Sequence, residues 1–80
     1  MGKDENIQVG ANITFLRKQL GETLSKFAER FGMSYAGLAR IENGAVSPSI
    51  DYLKIVSELS GYTIDQLIKV DLSKLESKAE

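Results

Sequence analysis

The chain has 80 residues, enough for one small domain with a single apolar core. It contains no cysteine and no histidine, which excludes disulfide bonds, thiol chemistry and the usual zinc-ligand patterns. Ten basic and eleven acidic side chains give a net charge of −1, whereas proteins that bind nucleic acid through phosphate contacts usually have a basic excess. Any such affinity must come from the local placement of basic residues and from dimerisation.

The N-terminal part of the chain predicts an arm followed by a helix. Residues 1–6 are polar and charged without periodicity, so we expect a disordered arm there. Apolar residues three or four positions apart then predict a first helix over residues 7–20. They are Val9, Ile13, Leu16 and Leu20. Gly21 follows, where a helix-ending glycine is expected.

Two short helices are predicted next, over residues 24–31 and 35–42. Each follows a hydroxyl residue that can cap it, Thr23 for the first and Ser34 for the second. The turn between them contains Gly32, and a short turn with glycine holds two helices at a steep angle. The second helix would then project from the domain, in a position to enter a DNA major groove.

The remaining chain predicts two more helices and a tail. Residues 44–48 form a connection, after which Ser49 can cap a fourth helix that ends at Gly61. Thr63 can cap a short fifth helix. No sustained alternation of apolar and polar residues indicates a strand. We therefore expect an all-α domain of five helices over residues 7–70.

The tail, residues 71–80, has a row of apolar residues at helical spacing, which indicates a possible short sixth helix. The row is Leu72, Leu75 and Ala79. It is either a docked last helix or half of a dimer seam. Phe15 lies off the apolar stripe of the first helix, so it is either buried beneath this tail, against Leu72 or Leu75, or a dimer contact.

A longer motif carries a family resemblance. Residues 28–44 read AERFGMSYAGLARIENG, and residues 48–55 read PSIDYLKI. With these motifs the chain resembles the lambda-repressor/Cro superfamily, the Cro/C1-type helix-turn-helix proteins, over residues 8–68. The most specific part is ARIENG at 39–44 with the Pro-Ser pair that follows. The resemblance implies five helices, binding of double-stranded DNA through the third, and frequently a dimer on a two-fold symmetric operator.

The resemblance also implies base-reading positions in the third helix. They are Tyr35, Ala36, Gly37 and Arg40. Arg40 is the strongest candidate because a guanidinium can donate two hydrogen bonds to guanine. It could instead be a solvated side chain or pair with Glu29 or Glu42. Tyr35 could offer its hydroxyl to a phosphate or its ring to a methyl group, or simply rest on the surface. Ala36 and its neighbouring glycine could contact thymine methyls or only avoid clashes, and we favour the second.

Backbone N–H groups at helix starts can hold phosphates without a basic side chain. The phosphate candidates are Thr23, Leu24, Ser34, Asn43 and Ala45. The family often has Gln where Leu24 stands and Lys or Arg where Ala45 stands, so the chain lacks two polar contacts on this surface. The resemblance further implies a structural ion pair between Arg17 and Glu42.

Two functions stay open at this stage. The first is a sequence-specific, repressor-type regulator that binds double-stranded DNA as a homodimer and inserts helix 35–42 in the major groove. The alternative is a protein-interaction module of antitoxin or anti-repressor type on the same fold. We expect no enzyme activity, because no usable catalytic constellation exists. We also expect no metal, cofactor, small-molecule effector or membrane association, and a cytoplasmic protein encoded by a bacterium or phage.

Overall fold

A computed structural model of the chain describes residues 1–77, with side chains to residue 75. The described part contains six helices and no strand, which confirms the expected all-α class. The helices are α1 (Lys3–Gln19), α2 (Leu24–Arg30), α3 (Tyr35–Glu42), α4 (Ile50–Ser60), α5 (Ile64–Lys69) and α6 (Leu72–Ser77). None of the helices in this part combines the length and the apolar character needed to cross a bilayer.

Helices α2 to α5 all begin at a hydroxyl side chain. In each, the hydroxyl oxygen accepts a hydrogen bond from the backbone N–H three residues further on, at 3.0–3.2 Å. The four capping residues are Thr23, Ser34, Ser49 and Thr63. Each cap stabilises its helix by about 1 kcal/mol, because it satisfies an N–H group that has no partner within the helix.

The N-terminal end differs from the sequence prediction. Residues 3–6, expected in a disordered arm, form the first turn of α1. The Glu5 carboxylate accepts a hydrogen bond from the Gly2 N–H at 3.2 Å, and a carboxylate in a first turn also interacts favourably with the helix dipole. The Ser47 hydroxyl donates to Asn6 Oδ1 at 2.8 Å and ties this turn to the α3–α4 connection. Polar contacts thus extend the helix beyond its apolar stripe.

One apolar core lies at the centre of the domain, and all six helices contribute to it. Its buried members are Val9, Ile13, Leu16, Phe27, Ala28, Leu38, Ile41, Tyr52, Leu53, Val56, Leu67 and Leu72. Phe31 packs edge-to-face between Phe27 and Tyr52, with ring centroids 4.7 and 5.0 Å away. Leu20, expected on the inward stripe of the first helix, is instead 49% exposed, because it follows the last residue of α1.

Asn12 is a polar side chain buried inside this core. Its Nδ2 donates to the carbonyls of Leu67 at 2.8 Å and Val70 at 2.6 Å. Its Oδ1 accepts from the Leu72 N–H at 3.1 Å and from the Gln8 side chain at 3.1 Å. One amide therefore joins α1 to the end of α5 and the start of α6, and it satisfies backbone groups that would be expensive to bury unpaired.

The start of the tail is docked against the domain. Leu72 is fully buried, and α6 packs on α1. Leu75 is 43% exposed, and Ala79 lies outside the described residues. Phe15 is half-buried and packs against the core cluster that includes Leu72. The structure thus favours the docked tail over a dimer seam for Leu72, and burial over an exposed dimer contact for Phe15.

Candidate nucleic-acid interface

Helices α2 and α3 are joined by a tight turn at residues 31–34. The carbonyl of Ala28 accepts hydrogen bonds from the N–H groups of Phe31 at 3.2 Å and Met33 at 2.9 Å, which ends α2 and reverses the chain. The Ser34 hydroxyl then caps α3 by accepting from the Gly37 N–H at 3.0 Å. The turn is closed by its own backbone, so the orientation of α3 relative to α2 is well defined.

The inward side of α3 approaches α1 very closely at Gly10, which is buried. A Cβ atom at this position would collide with the Ile41 carbonyl oxygen and lie 2.8 Å from that of Glu42. Because both obstacles are backbone atoms, no side chain can be accommodated there without moving a helix. One feature of the sequence could have indicated this contact. Gly10 lies inside a predicted helix, and a glycine in such a position often has a packing reason.

Glu42, the last residue of α3, is enclosed by hydrogen bonds from α1. Its carboxylate accepts from Arg17 Nε at 2.9 Å, from Arg17 Nη2 at 3.1 Å and from the Thr14 hydroxyl at 2.9 Å. Arg17 Nη1 also donates to the Glu22 carbonyl at 3.0 Å. The two charged side chains are only 14% and 7% exposed. A two-pronged ion pair of this kind fixes both distance and orientation between α1 and α3.

Tyr52, a buried residue of α4, is affected by the charge of Glu42. Its hydroxyl is buried and has no hydrogen-bond partner among the described residues. Burial raises the pKa of this phenol above its ordinary value, and the negative charge of Glu42 raises it further. The ionised form of Tyr52 is therefore strongly disfavoured in the folded protein.

The outward side of α3 carries exposed groups without partners. Arg40 is exposed, and its guanidinium forms no hydrogen bond or ion pair with any residue that the structure describes, so it pairs with neither Glu29 nor Glu42. Because the carboxylate of α3 is turned inward and neutralised by Arg17, the outward side presents a free cation and no carboxylate of its own. The outward side of α3 itself thus carries one positive charge, on a chain whose net charge is −1.

The four base-reading candidates do not all lie on that side. Ala36 and Arg40 are exposed, and the spacing of 36, 40 and 43 places Asn43 on the same stripe of the helix. Tyr35 stands beside this stripe and is 59% exposed. Gly37 is half-buried, and a Cβ atom there would lie 3.0 Å from the Ser34 hydroxyl. The exposed face therefore consists of a tyrosine, an alanine, an arginine and an asparagine.

The phosphate candidates at the two helix starts have different surroundings. The hydroxyls of Thr23 and Ser34 are exposed, and each already accepts the capping hydrogen bond. The N–H groups of Leu24 and Tyr35 occupy the first helical position, where no partner within the helix exists. The Leu24 side chain itself packs against the core.

The candidates on the other flank are corrected in part. The Ala45 N–H, expected to hold a phosphate, donates to the Arg40 carbonyl at 2.9 Å and is not free to do so. The Gly44 N–H likewise donates to Ile41 at 3.1 Å, and together they form the paired bonds that commonly close a helix at a left-handed glycine. The side chain of Asn43 is exposed and remains available for a phosphate contact.

Arg30, the last residue of α2, is already paired with a residue that precedes the helix. Arg30 forms an ion pair with Glu22, which raises the pKa of the guanidinium. An open depression of about 580 Å³ lies beside this pair and is lined by Gly21, Glu22, Thr23, Lys26, Glu29 and Arg30. Among the described residues, no group of three or more acidic side chains is arranged to hold a metal ion.

A comparison with protein-family models agrees with this geometry. A model described as helix-turn-helix matches residues 13–67, more than half of the chain, and the match encloses α2, the turn and α3. The comparison with curated proteins found no match, and neither did the comparison with solved structures.

Proposed function

The chain belongs to the Cro/C1-type helix-turn-helix family, a DNA-binding family of regulators, and from this premise we propose that it recognises a specific double-stranded sequence and represses transcription. The observation that carries this proposal is the outward side of α3. It presents Arg40 without a partner, while the carboxylate of Glu42 is held inward by Arg17. A free cation on an exposed helix matches the acceptors of a major groove.

In this proposal α3 lies in the major groove. A helix with its side chains is about 10–12 Å across, and the major groove is about 12 Å wide, so α3 can enter it. Arg40 donates two hydrogen bonds to guanine, while the first-turn N–H groups of α2 and α3 hold phosphates on either side. Asn43 supplies a further contact. The turn and the α1–α3 contact hold α3 in place before binding, so little conformational entropy is lost on association.

Dimerisation is a second part of the proposal. A two-fold dimer would place one α3 in each of two major grooves about 34 Å apart, and occupancy of that operator would block transcription. Two linked weak sites bind far more tightly than one, because the second contact becomes intramolecular. This gain would offset the small number of free basic side chains on the interface.

The test is a selection of bound duplexes from a random pool at low salt, followed by affinity measurements on the recovered sequences. Wild type should recover a short motif, repeated at half-site spacing if it binds as a dimer. Arg40→Ala should weaken binding about tenfold or more, whereas Lys69→Ala, which removes one positive charge from α5, should change affinity little. Failure of the wild-type chain to bind any duplex at low salt would contradict the proposal.

A second candidate function is a protein-interaction module of the same fold. It is favoured by exposed apolar side chains, since Tyr35 is 59% and Val46 is 41% exposed, and by the occupied Ala45 N–H. The two candidates differ in what Arg40 does. If a protein is the partner, the selection yields no motif, and substitution of Val46 weakens binding of that protein more than substitution of Arg40.

A further inference from the structure

The outward side of α4 carries a row of exposed apolar side chains. Ile55 and Leu59 are four residues apart, so they neighbour each other on the helix, and each is 45% exposed. Leu59 also lines a cleft of about 420 Å³ between α1, α2 and α4, and Leu20, which is 49% exposed, lines the same cleft. Several large apolar side chains exposed together are typical of an interaction surface. We call Leu20, Ile55 and Leu59 the apolar edge of the domain.

A row of two charged residues, Lys54 and Glu58, runs along α4 next to Ile55 and Leu59. Both side chains are exposed, and neither forms a hydrogen bond or ion pair with a residue that the structure describes. They are also four residues apart, but a lysine that precedes a glutamate is the less favourable order for a pair within one helix. The outward side of α4 therefore presents an apolar row and, beside it, a positive charge followed by a negative charge.

This pattern is complementary to itself in one orientation. Two α4 helices can pack antiparallel about a two-fold axis that passes close to residues 56–57, perpendicular to both helices. Ile55 of one copy then faces Leu59 of the second copy, and Lys54 of one copy faces Glu58 of the second copy. In a parallel pair each lysine would face a lysine and each glutamate a glutamate, and like charges in contact repel. The charges therefore favour the antiparallel pair.

A second copy of the chain is favoured over other occupants of this surface, because it supplies a partner for every exposed group. A small apolar molecule in the cleft would cover Leu20 and Leu59, but it would leave Ile55 exposed and both charges of α4 unpaired. The sequence also left Phe15 and Leu72 as possible dimer contacts, and in the structure both pack within the domain. The outward side of α4 has no such use within the described part of the chain.

We propose that two copies of the chain associate through the outward sides of antiparallel α4 helices, with the apolar edge in the interface and two symmetric Lys54–Glu58 ion pairs at its border. This inference rests on the dimer of the proposed function and deepens it, because the family resemblance implies frequent dimers but no particular surface. Few side chains are buried in such a contact. The free dimer should therefore be weak, and simultaneous binding of two half-sites should strengthen it.

Sedimentation equilibrium of the free chain, without DNA, measures this dimer. Wild type should dimerise as its concentration is raised to about 1 mM. Lys54→Glu and Glu58→Lys each bring like charges together twice in the interface, so each variant should dimerise about tenfold more weakly. The matched control is Lys3→Glu, a charge reversal at the exposed start of α1, which should dimerise like wild type.

A mixture of the two α4 variants tests the orientation of the pair. Lys54→Glu mixed with Glu58→Lys brings opposite charges together at both contacts, so the mixture should dimerise about as well as wild type although neither variant does so alone. Leu59→Ser should weaken the dimer, because it removes an apolar group from the interface. All these positions are exposed, and unchanged helical circular dichroism verifies that the variants fold.

The outcomes separate the interface from the DNA-binding function. Wild type that stays monomeric up to about 1 mM would overturn the inference, while the duplex selection reports DNA binding independently. A dimer whose strength is indifferent to both charge reversals, or a mixture that does not recover dimerisation, would overturn the assignment to antiparallel α4 helices. A dimer with the expected charge dependence but no affinity for any duplex would contradict the proposed function and leave the interface standing.

Discussion

The two sides of α3 differ in how completely their groups are satisfied. On the inward side Leu38 and Ile41 are buried, and the Glu42 carboxylate accepts three hydrogen bonds from α1. On the outward side Tyr35 and Arg40 are exposed, and their side chains form no hydrogen bond with the residues that the structure describes. The same eight residues thus stabilise the domain through one side and leave the other side free for a ligand. Substitutions on the two sides should therefore have separable effects on stability and binding.

The largest effect on stability is expected for Gly10→Ala. Its Cβ would collide with backbone carbonyls of α3, which cannot move without displacing the helix. We expect the free energy of unfolding to fall by about 3 kcal/mol or more, measured by urea denaturation. Gly37→Ala is the matched control, because among the described residues its new Cβ atom would meet only the side-chain hydroxyl of Ser34, at 3.0 Å, and alanine has a helix propensity about 1 kcal/mol better than glycine. Similar losses of unfolding free energy in both variants would contradict the importance of the close α1–α3 contact at Gly10.

The next largest effect on stability is expected for the buried ion pair Arg17–Glu42, compared with the exposed ion pair Arg30–Glu22. Arg17→Gln leaves the Glu42 carboxylate, only 7% exposed, without its main donors, so we expect a loss of about 2–3 kcal/mol in the free energy of unfolding. Arg30→Gln breaks a pair whose arginine is 48% exposed, and because solvent screens surface pairs we expect a clearly smaller loss of stability than for Arg17→Gln. Equal destabilisation in urea denaturation would contradict the distinction between a buried and an exposed pair.

A smaller effect is expected at Tyr52, on the inner side beside Glu42. Its pKa is raised in the folded state, so the stability that its neutral form contributes is present below its ordinary pKa of 10.0 and falls as the pH rises above that value. Tyr52→Phe removes a buried hydroxyl without a partner and should raise the free energy of unfolding by about 1 kcal/mol at neutral pH. The variant should also lose less stability than wild type between pH 9 and 11. Parallel pH profiles would contradict this account.

The sequence predicted local features more accurately than distant contacts. The start of α3 followed from Ser34, because a cap acts on residues three positions away. Gly10 and Asn12 were missed, since their partners lie in α3 and at the α5–α6 junction, more than 30 residues further on. The occupied Ala45 N–H was predictable, because a helix that ends at a left-handed glycine uses the following N–H in the same way.

The sequence located the exposed face of α3 but did not determine every residue that lies on it. Periodicity places Leu38 and Ile41 inward, which leaves Ala36 and Arg40 outward. The half-buried position of Gly37 depends on the fold around Ser34, and the pairing of Glu42 with Arg17 followed from the family resemblance alone. Whether Arg40 was free or paired depended on the orientation of Glu42, a tertiary property that composition and spacing do not determine.

The most direct test of the central claim is a cycle that couples Arg40 to one atom of the DNA. A selected duplex is prepared with guanine or with 7-deazaguanine, which lacks the N7 acceptor, and both forms are titrated with wild type and with Arg40→Ala. If the arginine donates to guanine in the major groove, wild type should bind the modified duplex about five- to tenfold more weakly, while Arg40→Ala should bind both forms equally. Wild-type binding that is indifferent to the modification, or an equal loss in both proteins, would contradict the account.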